Sequence, residues 1–304
     1  MHLEQTPLVV DVARYRLEDG PGIRSVVFFK GCSLRCSFCH NPECQSALQE
    51  IATSPRRCIE CHTCSQTCPE GKARPAKAGW SVDESCSSCG RCAQACPTSA
   101  LRTVGKFYSP EALAERLLRD RAFYAQSGGG VTLSGGEPAL FPRYLGKLLP
   151  LLKRQGVHLL LQTSGHFPAY DEFRCAVLPH LDGVELSLKL ADSEAHRVMC
   201  GHDNALILAN LRRLALEPRI ELQVSIPLVP NFTDTTENLC AVSVILRGLG
   251  VKTVRLLPYN PIAAHASQAT ANRQLTLPTA FMTPEQMARA KAVFGSPTRN
   301  STAS

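Results

Sequence analysis

Long apolar runs are missing from this chain. The stretch 241–246 is among the longest, far short of the roughly twenty residues a membrane helix needs, so no membrane role is expected. Positions 1–15 do not follow the charged, apolar, small-residue order of a secretory leader, and the expected compartment is the cytoplasm. No paired carboxylates and no nucleophile–base constellation stand out, so nothing calls for a catalytic acid or base. The net charge of +7 is moderate and suits a solvated surface, so no nucleic-acid partner is expected. With 304 residues, 44% hydrophobic and 19% charged, the chain has the make-up of one large globular domain or a domain plus a module.

Cysteine is what the chain has in excess. There are 15, and 12 of them precede residue 97 in three tight groups. Disulfides suit secreted proteins, but patterned cysteines without a leader point to metal binding in a reducing compartment. Cys175, Cys200 and Cys240 are scattered and are expected to be small buried hydrophobes. Cys44 fits no ligand spacing and is expected to be a bystander.

The first group is Cys32-x3-Cys36-x2-Cys39, directly after the apolar run 25–29 that reads as a strand. Three thiolates on so short a loop suit an iron–sulfur cube. Electron-transfer cubes are usually capped by four cysteines, so three leave one iron open, as catalytic metal sites do. The chemistry is expected at that iron.

The other groups are Cys58-x2-Cys61-x2-Cys64-x3-Cys68-Pro69 and Cys86-x2-Cys89-x2-Cys92-x3-Cys96-Pro97. This is the bacterial ferredoxin run, present twice, in which the fourth cysteine of each run ligates the other cluster. The assignment is Cys58, Cys61, Cys64 and Cys96 to one cube, and Cys86, Cys89, Cys92 and Cys68 to the other. Paired C-x2-C also binds zinc, but two complete four-cysteine runs, each closed by proline, disfavour it. The spacer 70–84, with the only tryptophan, Trp80, reads as a loop with a short hairpin.

Elsewhere the chain alternates between strands and helices. A strand over 8–18 leads into the tight turn Asp19-Gly20-Pro21-Gly22, which is expected near the cluster. Ser109-Pro110-Glu111 opens a helix running to about residue 125. Strands follow at 131–133, 157–162, 184–188, 220–229 and 251–257, with helices at 143–154, 205–216 and 237–249 between them. A last helix starts at Thr283 and a polar tail spans 295–304. Gly156, Gly183 and Gly250 each precede an apolar strand, and the first and third are expected to close helices. Short apolar strands alternating with helices imply an α/β fold with a parallel sheet. About six such strands are too few for a closed eight-stranded barrel, so a partial barrel is expected. Ligands of such sheets lie at the C-terminal strand ends. There the sequence places the cysteine loop, Ser134-Gly135-Gly136-Glu137-Pro138, Gln162-Thr163-Ser164-Gly165 and Lys189.

Asp19-Gly20-Pro21-Gly22-Ile23-Arg24, the three-cysteine loop ending His40-Asn41-Pro42-Glu43, and Ser134-Gly135-Gly136-Glu137-Pro138 together resemble the glycyl-radical-enzyme activating enzymes of the radical S-adenosylmethionine superfamily. The resemblance runs from about residue 9 to 259, and the ferredoxin insertion is similar to that of the longer members. It implies a partial (β/α)6 TIM-like barrel with an inserted bacterial-type ferredoxin module. The expected divisions are 1–54 and 101–295 for the barrel, 55–100 for the module and 296–304 for the tail. The resemblance also implies three 4Fe–4S clusters and S-adenosylmethionine. The cube of Cys32, Cys36 and Cys39 would bind the methionyl amino and carboxylate groups. Gly135, Gly136 and Glu137 would hold the amino group, and Phe38, Cys39 and His40 would line the adenine side. Reductive cleavage would then give a 5′-deoxyadenosyl radical that takes hydrogen from a glycine Cα of a partner enzyme. A flavodoxin or ferredoxin is the implied electron donor, and a monomer the implied state. A small-molecule substrate is the alternative within the same chemistry. An electron-transfer protein with an idle barrel would leave the glycine platform and open cube without purpose.

The chain departs from the family at several polar positions. Gln162 and Ser187 stand where relatives carry acids that help hold a monovalent cation, Ser225 where an arginine is frequent, and Asn260 where a histidine follows Pro-Tyr. Asn260 can still hydrogen-bond the cofactor. His265 is expected at the surface, in a segment, 262–280, without clear periodicity. The family's short final strand is not evident. With both acids neutral, Ser187 and Lys189 are expected to face the cofactor carboxylate, Lys189 contacting it directly. Exchanging potassium for sodium or a bulky organic cation should therefore leave S-adenosylmethionine cleavage unchanged, as measured by 5′-deoxyadenosine yield; a strong, selective need for one ion would refute this.

Overall fold

The computed structural model describes residues 6–78, 86–261 and 277–295. Trp80, most of 262–280 with His265, and the tail beyond residue 295 lie outside them, as does any final strand there.

Eight strands form one sheet. Strands β1 (Leu8–Arg16) and β2 (Arg24–Phe29) open it, and β5 (Lys106–Phe107) adds to β1. Then come β6 (Gly130–Gly135), β7 (His158–Thr163), β8 (Gly183–Ser187), β9 (Glu221–Leu228) and β10 (Thr253–Pro258). The spatial order is β10-β9-β8-β7-β6-β2-β1-β5. β2 and β6 through β10 run parallel, while β1 pairs antiparallel with β2 and β5. The six parallel strands match the number expected, and the row is open rather than closed. A separate two-stranded sheet pairs β3 (Glu50–Thr53) with β4 (Leu101–Val104). It forms a stem just outside 55–100, where the chain leaves the barrel and returns. Between its strands lie α1 (Thr63–Thr67) and α2 (Arg91–Gln94).

Side-chain alternation sorts the strands into two faces. In β7, Leu159 and Leu161 are fully buried against the outer helices, whereas His158, Leu160 and Gln162 are half-buried toward the lumen. Helix α5 (Pro142–Lys153) presents Leu145, Leu148, Leu149 and Leu152 on one stripe, all fully buried. Truncating one of these to alanine would cost about 2–5 kcal/mol. Outer helices α8 (Ala205–Ala215) and α9 (Thr236–Gly248) lie close to the expected limits. Gly156 and Gly250 adopt φ of 71° and 68° after α5 and α9, as expected of helix closers. The last helix, α10 (Pro284–Phe294), starts with a capping box between Thr283 and Gln286.

Three expectations need correction, and two short helices were not anticipated. The helix after Ser109 is two, α3 (Pro110–Leu118) and α4 (Arg121–Ser127). Asp120 interrupts it, because its carboxylate turns to Arg14, at 2.7 Å, and to the Ser25 hydroxyl, at 3.1 Å. The short helices α6 (Tyr170–Ala176) and α7 (Ser193–Cys200) had no recognisable period. Cys175 and Cys240 are exposed; of the three scattered cysteines only Cys200 is buried. Finally, the 19–24 turn joins the N-terminal end of β2, whereas the cysteine loop follows its C-terminal end. About 17 Å of strand separates them.

Arg24, fully buried in that turn, ties β2 to its neighbours. Its guanidinium donates to Thr132 Oγ1 at 2.7 Å and to the carbonyls of Val131, Pro21 and His158 at 2.7, 3.1 and 3.2 Å. Burial pushes its pKa down to about 10. Removing the donors strands several buried acceptors, so Arg24→Met should lose about 2–4 kcal/mol of stability. The exposed Arg212→Met should stay within about 0.5 kcal/mol. Urea unfolding of both variants beside the parent checks the difference.

Candidate active site and cluster ligands

The cysteine loop leaves the C-terminal end of β2 and is tied down by backbone on three sides. Gly31 and Cys32 donate to the carbonyls of Cys44 and Gln45, at 2.8 and 3.0 Å. Arg35 and Ser37 donate to Cys200 and Met199, the last turn of α7, at 2.8 and 2.9 Å. The Ser33 hydroxyl reaches the His166 carbonyl at 2.6 Å. Cys44 thus belongs to the site's frame through its backbone.

The third support is the glycine pair at the end of β6. Gly136 and Glu137 donate to the carbonyls of Phe29 and Gly31, each at 2.8 Å. A Cβ on Gly136 would sit 2.2 Å from the Gly31 carbonyl oxygen. Gly135, at φ 102°, would place one 2.4 Å from the Phe29 nitrogen. Glycine is required here because the loops after two adjacent strands touch backbone to backbone. The Glu137 carboxylate is fully buried and accepts from Thr163 Oγ1 at 2.7 Å, Ser164 N and Oγ at 2.8 and 2.5 Å, and Ala139 N at 3.1 Å. Burial raises its pKa against these hydrogen bonds. Its side chain therefore locks the β6 loop to the β7 loop.

The three thiols share one low-dielectric environment. Burial pushes Cys32 up to about 12 and Cys39 up to about 11. Cys36 is raised well above the ordinary thiol value by its contact with Cys200 and then by burial. The positive charge of Lys189, only 7% exposed, acts the other way on Cys36 and Cys39. Thiols so placed ionise when a cluster compensates them, which couples loading to deprotonation. Lys189 Nζ donates to the Ser187 carbonyl at 3.2 Å. His40, exposed at the rim, meets the Asn260 backbone, and partial desolvation of its ring lowers its pKa against that hydrogen bond. Phe38 is buried in the main core. Cys32, Cys36, Cys39, His40, Ser187, Lys189, Asn260 and the glycine platform therefore converge on one end of the sheet.

The lumen holds charges that were not anticipated. Gln162 stands beside Glu185, and Ser225 pairs in register with both Ser187 and Arg255. Gln162 Nε2 lies 3.4 Å from Glu185 Oε2, and Arg255 Nη1 lies 3.5 Å from the same oxygen. Buried asparagines also escaped notice. Asn210 holds the carbonyls of Gly165 and Phe167, Asn204 those of Leu190 and Ala191, and Asn238 those of Lys189 and Thr233. Their one signal was an isolated amide in or beside an apolar helical stretch.

In the module, Cys58, Cys61, Cys64 and Cys96 line one cavity with Ile59, Pro75 and Leu101. Cys61 has its thiol value lowered by the Thr63 hydroxyl, at 3.4 Å. At Cys68 burial opposes the backbone N–H groups of Ala73, Glu70 and Lys72, which bring the value down. Cys96 is lowered as well, whereas burial raises Cys92. Lys30, fully buried just after β2, ties the stem to that strand: Nζ donates to the Glu43 carbonyl at 2.7 Å and pairs with Glu50 on β3.

Residues 84–241 match the sequence model of the radical SAM superfamily. The chain is 41% identical over 235 residues to the benzylsuccinate synthase activating enzyme of Thauera aromatica, covering 75% of this chain and 70% of that protein. It is 35% identical over 295 residues to the isethionate sulfite-lyase activating enzyme of Nitratidesulfovibrio vulgaris, covering 95% of each. It is 38% identical over 263 residues to the trans-4-hydroxy-L-proline dehydratase activating enzyme of Clostridioides difficile, covering 85% and 86%. A radical SAM methyltransferase from Sphaerobacter thermophilus shares the fold with TM-score 0.53 at 15% identity, over 95% of this chain and 74% of that one. The chain belongs to the glycyl-radical-enzyme activating enzymes of the radical SAM superfamily. Membership brings a 4Fe–4S cluster and S-adenosylmethionine, and the three clustered thiols with a nearby buried lysine suit both.

Because an added Cβ has no room, Gly136→Ala should push the cysteine loop off its support. The variant should lose about four irons per chain relative to the parent. Iron analysis with electron paramagnetic resonance of the reduced protein checks this.

Proposed function

We propose that this chain activates a partner glycyl-radical enzyme by generating a glycyl radical on it. When bound, the cluster and S-adenosylmethionine supply the one-electron cleavage that ends in hydrogen removal from a glycine Cα. The protein's part is geometry and exclusion of water. The observation carrying the proposal is the convergence of Cys32, Cys36, Cys39, Lys189 and the Gly135–Gly136 platform at the C-terminal strand ends.

Cys32, Cys36 and Cys39 hold the cluster. Lys189 faces the carboxylate of the methionyl group, beside Ser187. The backbone at Gly135 and Gly136, aligned by the anchored Glu137, faces its amino group. Phe38, His40 and Asn260 border the adenine. The relatives named above are activating enzymes, which favours a protein glycine over a small-molecule substrate.

The module carries two further clusters, with Cys58, Cys61, Cys64 and Cys96 on one and Cys86, Cys89, Cys92 and Cys68 on the other. The shared cavity of the first four supports that exchange of ligands. The clusters relay electrons from a flavodoxin or ferredoxin in the cytoplasm, and the working unit is a single chain. The barrel takes 1–54 and 101–295, with the module at 55–100.

Anaerobic reconstitution with a candidate partner and reductant should give a glycyl doublet in the electron paramagnetic resonance spectrum, with 5′-deoxyadenosine formed alongside. 5′-Deoxyadenosine without a protein radical would favour the small-molecule alternative. Cys61→Ala with Cys89→Ala should slow activation by flavodoxin or ferredoxin; a rate equal to the parent's would end the relay proposal.

A further inference from the structure

The stem gives the module a near end and a far end. Glu50 pairs with Val104 at the near end and Thr53 with Leu101 at the far end. At about 3.3 Å per residue the two pairs stand roughly 10 Å apart. The near end is tied to the cysteine loop, because Lys30 holds Glu50 and Cys32 follows Lys30 after one glycine. The second ligand set sits on this side. Gly90, between Cys89 and Cys92, packs on the stem, where a Cβ would meet Thr103 Oγ1 at 3.1 Å and Gln49 Nε2 at 3.7 Å. Cys68, Cys86 and Cys89 lie close enough to act on the Cys92 thiol. The first set sits at the far end. Ala100 and Leu101 line its cavity, and Ser54 donates to the Ala100 carbonyl at 2.7 Å.

The two sides also differ in surface. Ile59, 62% exposed, lines the first cavity. The single turns Pro55–Arg57 and Ala76–Ala78 pack against each other beside it. These turns and the adjoining chain carry Arg56, Arg57, Arg74 and Lys77, all exposed. Among the described residues none of the four is held in an ion pair. Glu60 is the single acid in the stretches 55–61 and 74–78. On the second side Glu70 stands 3.9 Å from Lys72 and accepts from the Ser87 backbone at 3.3 Å, so the charge there is closer to balance.

We propose that the face around Ile59 is the docking surface for an acidic flavodoxin, and that electrons enter on the Cys58 side and leave for the cysteine loop from the Cys92 side. The inference rests on the relay proposed above and gives it a direction. Four cations around an exposed aliphatic side chain complement a carrier whose apolar flavin edge is ringed by carboxylates. The carrier's reduced flavin gives one electron to the set of Cys58, Cys61, Cys64 and Cys96 and is oxidised by one. No bond forms or breaks. The stem sets the order, because its far end presents the cationic face and its near end adjoins Lys30.

The experiment uses the cluster-loaded full chain and a purified acidic flavodoxin. In calorimetric titration at low salt, Arg56→Ser with Arg57→Ser should bind about tenfold more weakly than the parent. Its affinity should also depend less steeply on salt. Ile59→Ser should weaken binding severalfold and keep the parent's salt dependence. Arg91→Ser, on the second side, should match the parent in both. Stopped-flow reduction by the flavodoxin hydroquinone should slow in the double variant, whereas dithionite, which needs no docking face, should reduce it and Arg91→Ser alike. If the double variant loses iron, Lys77→Ser takes its place, with a smaller loss expected. Parent affinity in the substituted variant overturns the surface. A loss in Arg91→Ser as large as in the double variant overturns the entry side. Binding of a ferredoxin without binding of the flavodoxin overturns the choice of carrier. A parent that makes no glycyl radical refutes the proposed function instead, and the titration still decides the surface.

Discussion

Two adjacent parallel strands end in loops that touch backbone to backbone, and the rest of the site depends on that contact. The Gly31 carbonyl and the Gly136 backbone lie so close that one methyl group would separate them. The contact sets where Cys32, Cys36 and Cys39 stand relative to the sheet. Glu137 carries the constraint one strand further by filling both carboxylate oxygens with donors from the β7 loop. Buried asparagines repeat the device after β7 and β8. Successive loops are thus referenced to one another rather than to solvent, as a site needs when its geometry must hold within fractions of an ångström.

Electrostatics divides the molecule in two. The barrel thiols sit in apolar surroundings that oppose ionisation, with Lys189 the nearby countercharge. Cys61 and Cys68 of the module gain hydrogen bonds that favour the thiolate. Lys30 holds the stem, because burying its ammonium against the Glu43 carbonyl and Glu50 fixes it to the strand that leads into the cysteine loop.

The six-strand parallel sheet was legible in the sequence, since apolar strands of length 4–8 between amphipathic helices leave few alternatives. The cluster cysteines were legible too, because ligand spacing on a short loop is a local property. Asp120, α6 and α7 were not. Asp120 breaks a helix to satisfy Arg14 from a distant strand, and short helices carry too little period to be seen. The scattered cysteines divided by environment alone: Cys200 packs beside Cys36, while Cys175 and Cys240 face solvent.

The carboxylate side of the lumen marks the limit most clearly. Position by position, Gln162, Ser187 and Ser225 read as lost charges. Strand register places Glu185 beside the first and Arg255 beside the last, so an acid and a guanidinium stand one step away on neighbouring strands. The 19–24 turn is a similar case, prominent in sequence yet placed by the direction of β2 at the far end from the cluster. By itself the sequence determined the chemistry, because metal ligands, glycines and strand patterns act over a few residues. Only the tertiary structure decided which charges share the lumen and which loops touch, because those follow from strand register and from contacts between residues up to 237 positions apart.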